Sequence, residues 1–107
     1  MAKIKRTVPK KFKVVVTQED IDKGKVGNGS YCPIARACGR ILNLKPSEQI
    51  NVDISGGGYY SITLDGVTYF LSAPKKADDF IVKFDEKQPV KPFEFMFKVK
   101  YEEQYSF

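Results

Sequence analysis

Histidine and tryptophan are absent from this chain, and cysteine occurs only twice. Without histidine, the commonest general base, the commonest metal ligand and the usual pH switch near neutrality are all missing. Cys32 and Cys38 alone cannot complete a four-ligand zinc site, nor do they form the disulfide framework of a small secreted domain. No run approaches the roughly 18 apolar residues of a membrane span. The opening MAKIKRTVPKKFK is basic with no apolar stretch behind it, so the reading includes no secretory signal, a cytoplasmic location and no membrane partner. No paired carboxylates or Ser-Lys spacing stand out on a loop, so the expectation is a protein that is not an enzyme and uses no cofactor or metal. Cys32, near a helix start where a thiol pKa can fall, is the one candidate nucleophile; Cys38 reads as a core residue.

What is present fits a single folded domain. At 107 residues, with 42% hydrophobic and 29% charged side chains, the chain has enough apolar surface for one core and too little length for two. The net charge is +5, yet Lys3, Lys5, Arg6, Lys10, Lys11 and Lys13 all precede the first acid, Glu19. The basicity therefore belongs to an N-terminal arm, residues 1–11, running into the first strand. The domain proper spans 12–101, and 102–107 is a short tail.

The most distinctive stretch is 17–44. Thr17 with Asp20 caps one short turn that Gly24 ends, and Gly24, Gly27 and Gly29 build a loop able to visit positive φ. Ser30 or Cys32 then caps a helix opened by Pro33 and closed before Pro46. In it Ile34, Cys38, Ile41 and Leu42 share an apolar face with Ala35 and Ala37 beside them, while Arg36, Arg40 and Asn43 face away.

Around this stretch the periodicity predicts five strands. Residues 12–17 form an inner strand with Phe12, Val14 and Val16 on one face and Val15 on the other. Residues 50–54 alternate wet and dry, and Gly56, Gly57 and Gly58 interrupt them. Residues 59–64 and 67–71 flank Asp65-Gly66, a signal for a hairpin with a two-residue primed turn. That turn sets Leu64 opposite Val67, Ile62 opposite Tyr69 and Tyr60 opposite Leu71, leaving Ser61, Thr63, Thr68 and Phe70 outside. Ser72 caps a second helix from about Pro74 to Asp85, with Ala77, Phe80, Ile81 and Phe84 on its apolar stripe and Asp79–Lys83 as an i, i+4 pair. After a proline-rich turn, Phe93, Phe95, Phe97, Val99 and Tyr101 alternate in the longest strand. The order β-α-β-β-β-α-β predicts an α+β domain, an antiparallel or mixed sheet covered by two helices.

Three sets of candidate binding residues emerge. Lys25, Gly27, Gly29 and Ser30 sit in a glycine-rich loop before a helix, where free N–H groups and the helix dipole suit an anion, although Pro33 removes one donor. Lys3, Lys5, Arg6, Lys10, Lys11 and Lys13, with Arg36 and Arg40, suit a polyanion such as nucleic acid or a nucleotide. Tyr59, Phe70, Tyr105 and Phe107 are aromatics in excess of one core's needs and suit a protein interface or self-association. For each set the plain alternative is a connecting loop, a solvated face or a filled core position. Gly56 to Tyr60 carries the same pair of readings, a stacking ligand loop or a turn with Tyr60 in the core.

DIDKG at Asp20, CPIARA at Cys32 and DDFIVKFDEKQPVKPFEF from Asp78 to Phe95 together resemble a group of small uncharacterised proteins of bacteriophages and prophages. Some of those proteins carry another cysteine shortly before the CPIA segment. This chain has Asn28, Gly29 and Ser30 there, so no redox or metal role of such a pair carries over. The resemblance implies a viral accessory protein in a bacterial host cytoplasm, acting by docking on or sequestering a host factor, such as a host-defence component. Nucleic-acid or nucleotide binding is the alternative.

Overall fold

A computed structural model describes residues 7–29, 31–45, 50–53 and 59–104. Five strands, β1 (Lys11–Val16), β2 (Ile50–Asp53), β3 (Tyr59–Leu64), β4 (Val67–Ser72) and β5 (Phe93–Gln104), form one sheet in the order β1-β5-β4-β3-β2. Every pairing is antiparallel. Three helices, α1 (Gln18–Lys23), α2 (Pro33–Ile41) and α3 (Lys75–Asp85), complete an α+β domain.

The core follows from strand alternation. Phe12, Val14 and Val16 of β1 are buried while Lys11, Lys13 and Val15 are exposed, and Phe95 and Phe97 of β5 continue the same face. Phe97 is fully buried, with Phe12, Tyr60 and Phe95 rings at 5.7, 5.0 and 4.8 Å from its own. Truncating a phenylalanine in such a position costs about 3–5 kcal/mol. Ile34, Ala35, Ala37 and Cys38 of α2 and Ala77, Phe80, Ile81 and Phe84 of α3 cover this face.

The hairpin register is as read from the turn: Leu64 pairs with Val67, Ile62 with Tyr69 and Tyr60 with Leu71. Asp65 and Gly66 have φ of 49° and 80°, the two positive values that a primed turn needs. Ser61 and Thr68, expected outside, are buried. Both are short side chains on inner strands, and Ser61 lies between Asn51 and Phe70 in the ladder.

Several boundaries differ from the sequence expectation, each for a local reason. The capped turn at Thr17 is a full short helix: the Asp20 N–H donates to the Thr17 hydroxyl, and the Thr17 N–H donates to the Asp20 carboxylate. Helix α2 stops at Ile41, not Leu44. Asn43 takes a left-handed φ of 52°, and the Asn43 and Leu44 N–H groups donate back to the Arg40 and Gly39 carbonyls, a motif that terminates helices. Ile41 is consequently exposed. Helix α3 has Pro74 as its N-cap with no side-chain cap, because the Ser72 hydroxyl donates to the Lys98 carbonyl instead. Asp79 pairs with Lys75, a turn back, in place of Lys83. Pro46, Ile54 and Gly56 to Gly58 lie outside the described residues.

The described parts of the arm and tail, residues 7–11 and 102–104, join the sheet. Val8 is buried and the Val99 N–H donates to the Lys10 carbonyl, so the described end of the arm, from Thr7, continues β1. Strand β5 runs on to Gln104, three residues past its expected end. A bulge changes its phase on the way: Leu71 pairs with Val99, but Phe70 pairs with Tyr101. The extra residue, Lys100, turns Tyr101 out of the core, where it is 51% exposed and stacks on Phe70 at 4.6 Å.

Candidate functional site

The glycine-rich loop is occupied by its own chain. The Lys25 N–H donates to the Tyr31 carbonyl and the Gly27 N–H to the Asp85 carboxylate at 3.0 Å, so the anion held there is the end of α3. Gly29 accepts from the Val52 N–H and thereby covers the outer edge of β2. A Cβ on Gly29 would lie 2.4 Å from the Val52 carbonyl, and one on Gly24 would lie 2.7 Å from Pro33. These two glycines are there for close approach between backbone segments. Lys25 extends over the Tyr31 ring at 5.5 Å, and Ser30 lies outside the described residues. The loop is a structural joint, and where an external anion was expected one of its N–H groups holds the Asp85 carboxylate.

Arg36 and Arg40 are likewise engaged by their own chain, although the Arg40 side chain remains about half exposed. Asp20 is 1% exposed, and Arg40 donates to it at 2.7 Å and to the Val15 carbonyl at 2.8 Å. The Arg36 Nε sits 3.9 Å from the same carboxylate. Burial pushes the Asp20 carboxyl upward in pKa, but the Arg40 and Thr17 donors outweigh it and hold the group below its ordinary value. Both arginines join α2 to α1, and Arg40 also caps the edge of β1, so the helix face read as solvated is tied to a buried carboxylate.

Cys32 is 2% exposed, and burial pushes its thiol up to about 11, the reverse of an activated nucleophile. Cys38 is fully buried and shifted further in the same direction. Tyr60 belongs to the core, its hydroxyl donating to Asp78 at 2.5 Å, while Gly56 to Gly58 and the Tyr59 side chain lie outside the described residues.

The second face of the sheet is different: all three helices lie on the other side, and no described element packs on its β1 and β5 half. Strand alternation places Lys11, Lys13 and Val15 of β1 there beside Glu94, Met96 and Lys98 of β5, all exposed. In this register Lys11 is directly opposite Lys98. Like charges in that relation repel, and neither lysine has a carboxylate partner among the described residues. Lys13 contacts Glu94 at 3.5 Å with both side chains about 60% exposed, a weak pair. Where β4 leads into α3, a groove of about 610 Å³ opens over this face, with Met96, Ala73 and Pro74 as its apolar part and Lys13, Lys76 and Lys98 around it.

Of the sequence candidates, Lys10, Lys11 and Lys13 are exposed on or beside this face. Lys3, Lys5, Arg6, Tyr105 and Phe107 lie outside the described residues, as does the side chain of Tyr59. Phe70 is partly buried against Tyr101. Lys76, Lys98 and Met96 were not singled out by sequence reading. Their signal was the alternation of Glu94, Met96, Lys98 and Lys100 with phenylalanines, which marks a wet face without saying which strand lies next to it.

No protein-family model matches the chain, and no curated protein or solved structure matches it either.

Proposed function

We propose that this protein works by binding and not by catalysis, and that it holds an anionic partner on the open face of its sheet. The observation that supports this reading is Lys11 facing Lys98 with no carboxylate joined to either among the described residues. An unrelieved like-charge pair costs some stability in the free protein, and an anion laid across it removes that cost. Lys76 likewise has no carboxylate partner among the described residues, so Lys76 and Lys98 line one groove uncompensated, beside Lys13, which is shared with Glu94. The basic arm feeds directly into β1 and extends the same charge along the chain. In the setting of the phage proteins it resembles, such a partner belongs to the host cell.

Retention on a sulfated polysaccharide matrix tests this. Wild-type protein elutes at high salt, and Lys98→Glu elutes early, while Lys87→Glu, the same charge change at the far end of α3, elutes close to wild type. Equal loss with Lys87→Glu would mean that only net charge matters and would remove the face from consideration.

A further inference from the structure

The groove is more selective than a charged surface has to be. Its lining joins an apolar part, to which Met96 and Pro74 belong, to Lys13, Lys76 and Lys98 and to the carboxylate of Glu94. An acidic peptide would find lysines here, but it would also meet Glu94 at close range and offer nothing flat to cover Met96 and Pro74. A nucleic-acid duplex has its base faces stacked inside the helix, so it offers phosphates to the lysines but no ring face to Met96 and Pro74. A single strand supplies all three complements. A base has an apolar ring face for Met96 and Pro74, an exocyclic amine that donates to a carboxylate, and flanking phosphates for the lysines.

We propose that the anionic partner is single-stranded nucleic acid, with one base seated on Met96 and Pro74, its exocyclic amine aimed at Glu94, and its phosphates on Lys98 and Lys76. This rests on the open-face reading and narrows it. A volume of about 610 Å³ lies within the usual range for pockets that bury small ligands, which a single nucleotide unit matches. Because Glu94 is only weakly tied to Lys13, it is free to accept from a base amine, so cytosine and adenine fit better than thymine or uracil. The lysines opposite each other on β1 and β5 give the backbone a path toward the basic arm.

Fluorescence anisotropy with full-length protein decides this, using labelled single-stranded DNA and RNA, the matching duplexes and polyglutamate as probes, at two salt concentrations. The expected result is a single strand bound about 10-fold or more tighter than duplex or polyglutamate, the scale of one stacked base. Met96→Ser abolishes that preference and leaves polyglutamate binding unchanged. Lys98→Glu weakens every probe and flattens the log K against log salt slope by about 0.7 for the single strand. Both positions are exposed, and circular dichroism confirms that the variants are folded. If polyglutamate binds as tightly as the single strand and Lys98→Glu weakens both, the nucleic-acid assignment is overturned and the anion-binding face stands. If the duplex binds as well as the strand, the base seat is wrong. If Lys98→Glu changes nothing, or no probe binds, both readings fall.

Discussion

Arg40 reaches from α2 to donate simultaneously to the buried carboxylate of Asp20 and to the carbonyl of Val15, at 2.7 and 2.8 Å. One side chain thereby joins α2, α1 and the rim of the sheet. The carboxylate it meets is already part of the cap of α1, so a single buried charge serves two connections.

That relationship makes stability depend on acid. The folded Asp20 carboxyl is held below its ordinary value of 3.8, so its contribution is complete above that value and is lost as pH falls through the lower, folded one. Asp20→Asn should destabilise the protein by roughly 2 kcal/mol at neutral pH, combining a weakened cap with a lost ion pair. Urea melts at stepped pH check this: the gap between wild type and variant closes as the pH drops below about 4. A gap that persists at low pH would show that packing, not charge, carries the effect.

Two glycines separate close approach from mere presence. Gly29→Ala places a Cβ against the Val52 carbonyl and should cost roughly 2 kcal/mol or more, loosening β2 first. Gly39→Ala, within α2 with nothing near its added methyl, should gain about 1 kcal/mol. Thermal melts of the two variants should therefore move in opposite directions.

Neither thiol should react in the folded state. Cys32 and Cys38 are buried, with Cys32 pushed up to about 11 and Cys38 in the same direction. Iodoacetamide should modify neither until denaturant is added, and then both at similar rates. Fast native labelling of Cys32 alone would restore it as a nucleophile.

Tyr60→Phe isolates one polar contact inside the core. Loss of the hydroxyl that donates to Asp78 should cost about 1–3 kcal/mol, since bonds to charged groups sit at the strong end of the range. In an alkaline titration the Tyr60 phenol should ionise above the ordinary tyrosine value, because burial and the facing Asp78 both oppose its anion. Difference spectra of wild type against the variant measure that step directly.

The fold was legible where local chemistry dictates it. The Asp65-Gly66 turn determined the hairpin register, and alternation in β1 and β5 identified the core face. What stayed hidden were relationships between distant segments. Arg36 and Arg40 read as a wet helix face because nothing local discloses that Asp20 is buried beneath them. The glycine loop read as an anion site for the right reason, free N–H groups, but Asp85 from the other end of the chain takes one of them. Tyr101 read as core because a bulge leaves no mark in an alternating pattern. The lysine pair across β1 and β5 depends on a pairing between the two ends of the sequence, which no local pattern encodes.

The place of β5 in the sheet also dictates the order in which the domain can be assembled. It lies between β1 and β4, yet it follows every other strand in the chain. The meander of β2, β3 and β4 can form from neighbours, whereas β1 must wait with its apolar face unsatisfied until β5 arrives, closing a loop that spans most of the sequence. During synthesis the basic strand is thus the last to be fixed. A chain cut within β5 would not merely lose an edge; it would divide the sheet into a meander and a stray strand.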